Sequence, residues 1–307
     1  MTRTIALLTI GTLILPLTLI FTVSGCESTS RTHDKPLVFV SIPPHAFFVE
    51  RIADTLVDVE VLLRPGASPH TFDPTPQQIA RLAESDLYLQ AGLPFERQIV
   101  NRIEAQNPQF SIVNLREGIK PLMLAEHSHG DEASHAEEAD PHLWLDPHLA
   151  RIQAQKIGAA LVRLMPEATP ILRENLARLT AELTALDDSL SRLLAPAKGR
   201  SFWVFHPAYG YLGARYGLHQ VAIESEGKEP SARALAGLVE QARDEKIVAL
   251  FVQPQFSTKS AEVIANAVGC QIVTADPLAR DYFDNLYHLG TQLATALAPP
   301  KAGDQVD

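Results

Sequence analysis

Two kinds of hydrophobic pattern alternate along this chain. Short apolar runs rich in β-branched residues occupy 37–42, 57–63, 86–90 and 111–114 in the first half, and 201–205, 220–223, 247–252 and 271–275 in the second. Runs as continuous as Ile247-Val248-Ala249-Leu250-Phe251-Val252 suit strands buried on both faces of a parallel sheet. Longer stretches with helical spacing separate them, and that alternation implies βαβ units. The pattern predicts an α/β fold of two lobes, each a four-stranded parallel sheet flanked by helices.

A third pattern lies between the lobes. Leu172, Leu176, Leu179, Leu183, Leu186, Leu190 and Leu193 recur at alternating spacings of four and three. A helix of roughly 24 residues reaches about 36 Å, the height of a lobe. A strict 3.5-residue repeat also describes a dimeric coiled coil. Folded α/β sequence on both sides favours an intramolecular strut, one long rigid helix joining the lobes. The predicted boundaries are 1–25 for a leader, 26–35 for a tether, 36–165 for the first lobe, 166–198 for the linking helix, 199–299 for the second lobe and 300–307 for a tail.

The leader and tether place the protein. Arg3 precedes an apolar run from Ile5 to Val23, followed by Ser24-Gly25-Cys26. A basic start, an apolar stretch and small residues before a cut point describe a secretory signal. Cysteine directly after the small residues resembles a bacterial lipobox, in which Cys26 is acylated and the chain is cut before it. An uncleaved membrane anchor is the alternative; Pro16 and Thr9, Thr12, Thr18 and Thr22 weaken it. Either way the body lies outside the cytoplasm, in the periplasm or at the cell surface. Residues 27–35 are small and polar, the composition of a tether.

Charge and cysteine count narrow the partners. The net charge of −10 over 307 residues argues against nucleic acid, which needs a basic face. With Cys26 lipidated, Cys270 is the one remaining thiol, so no internal disulfide forms. At the entrance to an apolar run, Cys270 reads as a buried, inert side chain.

Four segments carry chemistry. His70 lies in GASPHTFD after the second strand run, and His142 in DPHLWLDP. The latter sits just before a helix capped by Asp146 with Pro147 at its first position. His206 closes FWVFHPAYG at the tip of the first strand of the second lobe, and Asp276 follows IVTA at the tip of its last strand. Ligands of open parallel sheets bind beyond the carboxyl ends of the strands. Singly, a histidine after a strand caps a helix or bonds backbone, and an Asp-Pro is a turn. Together these four offer three imidazoles and a carboxylate, a set that tetrahedral zinc accepts. His45, in IPPHA, follows the first strand and is not needed for that set; Trp144, Tyr209 and Tyr211 read as pocket wall.

The segment from Glu126 to Asp140, EHSHGDEASHAEEAD, contains His127, His129 and His135 among six acids. It cannot build a core and reads as a surface loop, either a solvated acidic stretch or a weak metal collector beside His142.

Taken with EGKEPS at 226–231, FVQPQFS at 251–257 and ADPL at 275–278, these motifs resemble the substrate-binding proteins of bacterial zinc and manganese ABC transporters, the cluster A-I family. The resemblance covers the whole mature chain. It implies Zn²⁺ held by His70, His142, His206 and Asp276, carried as transported substrate by a monomer and delivered to a membrane permease. Manganese members of the family typically carry Glu where this chain has His206. A nitrogen-rich set favours Zn²⁺ over the harder Mn²⁺, so a manganese-binding member is the nearer alternative. A zinc hydrolase, with Asp276 outside the coordination shell and water in its place, is the more distant one. The chain lacks an HExxH motif, and the expectation is a binding protein without enzymatic activity. An adhesin, or a lipoprotein that the metal merely stiffens, is a third class.

Overall fold

A computed structural model describes residues 34–123, 139–224 and 228–298. The chain separates into two units, Met1–Asp34 and Lys35–Asp307, and the two-sheet fold belongs to the second. Cys26, the leader and His127, His129 and His135 lie outside the described residues.

Lys35 onward begins a sheet of four parallel strands, β1 (Leu37–Val40), β2 (Asp58–Val61), β3 (Leu87–Gln90) and β4 (Ile112–Asn114), in the order β2-β1-β3-β4. The second half repeats this plan with β5 (Ser201–Val204), β6 (His219–Ala222), β7 (Ala249–Val252) and β8 (Gln271–Thr274), ordered β6-β5-β7-β8 and again parallel. All eight expected strands form. In each sheet the chain order reverses beside the central first strand, which opens a crevice at the carboxyl ends.

Helices α1 (Pro43–Ala53), α2 (Pro76–Ala83), α3 (Glu96–Gln106) and α4 (Pro147–Leu164) belong to the first lobe. Helix α5 (Thr169–Leu194) links the lobes, with a 3₁₀ turn at either end, and α6 (Gly210–Tyr216), α7 (Ala232–Asp244), α8 (Lys259–Val268) and α9 (Tyr282–Ala296) belong to the second. Of the predicted leucine stripe, Leu172, Leu179, Leu183, Leu186 and Leu190 are buried, while Leu176 and Leu193 are half-buried against the same core. Each fully buried leucine contributes about 1.5–3 kcal/mol over an exposed one. The stripe faces α1 and α4 on one side and α9 on the other, so one helix is cemented to both lobes. Gly290 makes the contact with α9 close, because a Cβ there would collide with Leu190 Cδ2. Arg51 on α1 adds an ion pair to Glu182 of α5 at 2.5 Å.

The apolar core is continuous from β1 and α1 through α5 to α9, and that continuity resists relative motion of the lobes. Two details differ from the sequence reading. β8 is an edge strand, and Ile272 within it is 40% exposed, because no further strand covers its outer side. Cys270 is half-buried rather than buried, and burial raises its thiol pKa, which keeps it protonated. Among the described residues no helix is long and apolar enough to cross a membrane.

Candidate metal centre

Each candidate side chain is held by local structure at the end of a strand or the start of a helix. The loop leaving β2 carries His70 and is fixed beyond it by α2. Thr75 caps that helix in a reciprocal box with Gln78, and Gln78 Nε2 donates back to the Leu62 carbonyl at 2.9 Å. His142 precedes a 3₁₀ turn, Leu143–Leu145, whose three apolar side chains are all buried. Asp146 then caps α4 through the His148 amide, as the sequence predicts. His206 follows β5, and Gln253 beyond β7 clamps its backbone from both sides. The His206 amide donates to Gln253 Oε1 at 3.0 Å, and Gln253 Nε2 donates to the His206 carbonyl at 2.9 Å. Asp276 follows β8; its Oδ1 accepts from the Leu278 amide at 2.9 Å and from Gln255 Nε2 at 2.7 Å.

The three imidazoles, distant in sequence, meet. His206 Nε2 lies 3.2 Å from His70 Nε2 and 3.4 Å from His142 Nε2, so a second-lobe ring stands between two from the first lobe. Phe256 stacks on His206 with centroids 4.7 Å apart, closing one side. His142 and His206 are buried, at 5% and 4% exposure, whereas His70 is exposed at the mouth. Among the described residues the hydrogen bonds of the Asp276 carboxylate go to Gln255 and Leu278 rather than to the rings. Among the described residues no three or more His, Cys, Asp or Glu, the three histidines included, stand as a group that could hold a metal ion without adjustment. The structure brings three of the four candidates together and leaves Asp276 bonded to its own lobe.

Proton positions follow from the neighbours. His142 Nδ1 lies 2.7 Å from Asp140 Oδ1, and His206 Nδ1 is hydrogen-bonded to Glu224 Oε1. With each carboxylate oxygen accepting from Nδ1–H, both Nε2 atoms present lone pairs. The His142–His206 contact therefore sets two acceptors face to face at 3.4 Å, a repulsive arrangement that a shared cation relieves. Atoms about 2.0–2.1 Å from a tetrahedral centre lie about 3.3–3.4 Å from one another, and both measured nitrogen separations fall close to that edge. Protonation does not substitute: burial, and then repulsion from His142 and His70, hold the His206 pKa well below the ordinary imidazole value. Burial and His142 lower that of His70 in the same way. His206 and His70 are thereby kept neutral and able to ligate.

Sequence reasoning misses Asp140, Glu224, Gln253, Gln255 and Phe256. Asp140 has a local signal: in Asp-Pro-His the carboxylate accepts from the His142 amide at 2.9 Å, an Asx turn. It also contacts the other lobe closely, since a Cβ on Gly210 would stand 2.6 Å from Asp140 Oδ2. Glu224 follows β6 just as His206 follows β5, so strand-end equivalence is the signal that identifies it. His45 lies on α1, fully buried, with Nε2 3.4 Å from Gln153 Oε1. Its ring neighbours among the described residues are Phe48 and Trp144, not the three histidines.

Known proteins are similar to this chain in sequence and fold. The profile of the family described as zinc-uptake complex component A, periplasmic (ZnuA), matches residues 38–296. A high-affinity zinc uptake system protein, ZnuA, of Yersinia pestis is 30% identical over 264 residues, covering 78% of this chain and 82% of that protein. A crystal structure of ZnuA superposes with a TM-score of 0.78 at 38% identity, covering 86% of this chain and 100% of the other. A ZnuA deletion mutant with zinc bound gives a TM-score of 0.78 at 38% identity, covering 87% of this chain and 99% of the other.

Proposed function

The chain belongs to the ZnuA family of periplasmic zinc-uptake components, and from that premise we propose that it captures Zn²⁺ outside the cytoplasm through His70, His142, His206 and Asp276 and passes it to the permease of an ABC importer. The observation that carries this reading is the pair of lone-pair-bearing Nε2 atoms facing each other at 3.4 Å, with His70 Nε2 completing a row of three.

Asp276 supplies the fourth ligand and the one negative charge. Its Oδ1 is occupied by Gln255 and Leu278, while Oδ2 takes no hydrogen bond among the described residues and is the oxygen that turns to the ion. Four protein ligands leave no open position for water, the arrangement of a carrier rather than of a catalytic zinc. Three imidazoles favour Zn²⁺ over Mn²⁺, and the carboxylates on the far side of His142 and His206 raise ring basicity. Acylation of Cys26 would tether the monomer to the membrane, and the His-rich stretch at 126–140 would concentrate the ion near the mouth.

Metal analysis of the purified mature protein, with zinc-against-manganese competition on wild type and His206→Ala, tests the proposal. Zinc retention by the wild type and its loss in the variant is the expected result. Equal affinity in both would remove His206 from the site, and preference for manganese would reverse the assignment of the cargo.

A further inference from the structure

The loops bearing His142 and Asp276 come from opposite lobes, yet they are joined by a buried strap. Two residues after His142, the Trp144 indole Nε1–H donates to the carbonyl of Pro277, the neighbour of Asp276, at 2.6 Å. Tyr282, at the start of α9, donates its hydroxyl to the Trp144 carbonyl at 2.6 Å. Both side chains are almost wholly buried, and the indole lies beside the His142 ring with centroids 5.3 Å apart. The Asp276 loop is held on its own side as well: Tyr209 donates to the Ala275 carbonyl at 2.9 Å, and Asn285 Nδ2 to the Asp276 carbonyl at 2.8 Å.

We propose that Trp144 is a positioning residue that fixes the span between the first-lobe imidazoles and the second-lobe carboxylate, and thereby the size of the coordination shell and the rate at which zinc leaves. This rests on the ligand set proposed above. The physical reason is the character of the bond. A buried indole N–H has one partner, and the Pro277 carbonyl between two immobilised residues is costly to leave unpaired. Sliding one loop against the other breaks this bond, so the backbones that carry the ligands are held at a set separation and only side-chain adjustment is left for the ion to bring about. A shell of fixed span discriminates against larger cations, which need longer bonds and more ligands.

Three variants separate the possibilities. Trp144→Phe keeps an aromatic ring but removes the donor. Tyr282→Phe removes only the hydroxyl that holds the Trp144 carbonyl, and it decides the question if the first variant does not fold. His206→Ala tests the ligand set itself. Zinc release is followed by stopped-flow transfer to a chromophoric chelator, and shell geometry by the visible absorption of the Co²⁺-loaded protein. The expected result is release about tenfold faster in the strap variants, an altered Co²⁺ spectrum, and a metal-free melting curve still showing a folded protein. Wild-type release and an unchanged spectrum in the strap variants, while His206→Ala loses zinc, would overturn the positioning role alone. Zinc binding by His206→Ala as tight as wild type would instead remove the ligand set, and the positioning role with it.

Discussion

Replacing Glu224 by Gln isolates the contribution of a residue that never touches the ion. The carboxylate holds the His206 ring by Nδ1, and the pair is shielded from water, with side-chain exposures of 5% and 1%. The amide matches it in volume, so the pocket stays filled. The charge is lost, and an amide N–H can now donate to Nδ1, which moves the ring proton to Nε2 and blocks the ligating atom. Loss of such an outer partner weakens metal binding about 10- to 100-fold. Burial puts this pair at the upper end, because no solvent screens the loss of the carboxylate charge. The expected loss is about 100-fold in zinc Kd, or about 2.7 kcal/mol. Chelator competition at about pH 7.5, well above the imidazole range, measures it, with circular dichroism as a check on the fold. An unchanged Kd in a folded Glu224→Gln protein would refute the claim that the Glu224 charge supports His206 as a ligand.

Three further outcomes are expected. Zinc affinity holds as pH falls toward about 6.5 and drops steeply below it, where protons compete for imidazole. The lowered His206 and His70 pKa values place the drop on the acid side, and a Kd indifferent to pH across that range would contradict histidine ligation. Burial lowers His45 to a pKa of about 4 from 6.5, so between those values the unfolded chain binds a proton that the folded one does not. The His45 contribution to stability of the metal-free protein is therefore full above about 6.5 and falls by up to about 3 kcal/mol as pH drops toward about 4. Urea titrations on wild type and His45→Leu check this, and an identical pH slope in the two would rule His45 out. Solution scattering of metal-free and zinc-loaded protein gives the same radius of gyration, because α5 is buried against both lobes; a large closure would show that the strut bends.

The fold is legible because its strands are continuous apolar runs and its linking helix repeats leucine at heptad spacing, both patterns that packing imposes directly. The three imidazoles are legible as polar residues stationed where those runs stop. What escapes is what depends on lateral strand order. Glu224 meets His206, and Gln253 clamps it, because β6 and β7 flank β5, and no spacing along the chain encodes that adjacency. Trp144 reads as pocket wall from its neighbourhood to His142; that its indole bonds a carbonyl 133 residues away is a property of the interface between lobes. The exposure of β8 is hidden for the same reason, since an edge strand and a central one look alike in sequence. Asp276 is expected in the site from its position after the last strand run, whereas its bond to Gln255 comes from the folded loop.

The most direct test is anomalous diffraction at the zinc edge from crystals of the zinc-loaded protein. A single strong peak bonded to Nε2 of His70, His142 and His206 at about 2.0–2.1 Å, with one Asp276 oxygen at about 2.0–2.2 Å, is the predicted result. Zinc bound elsewhere, or held without His206, would contradict it.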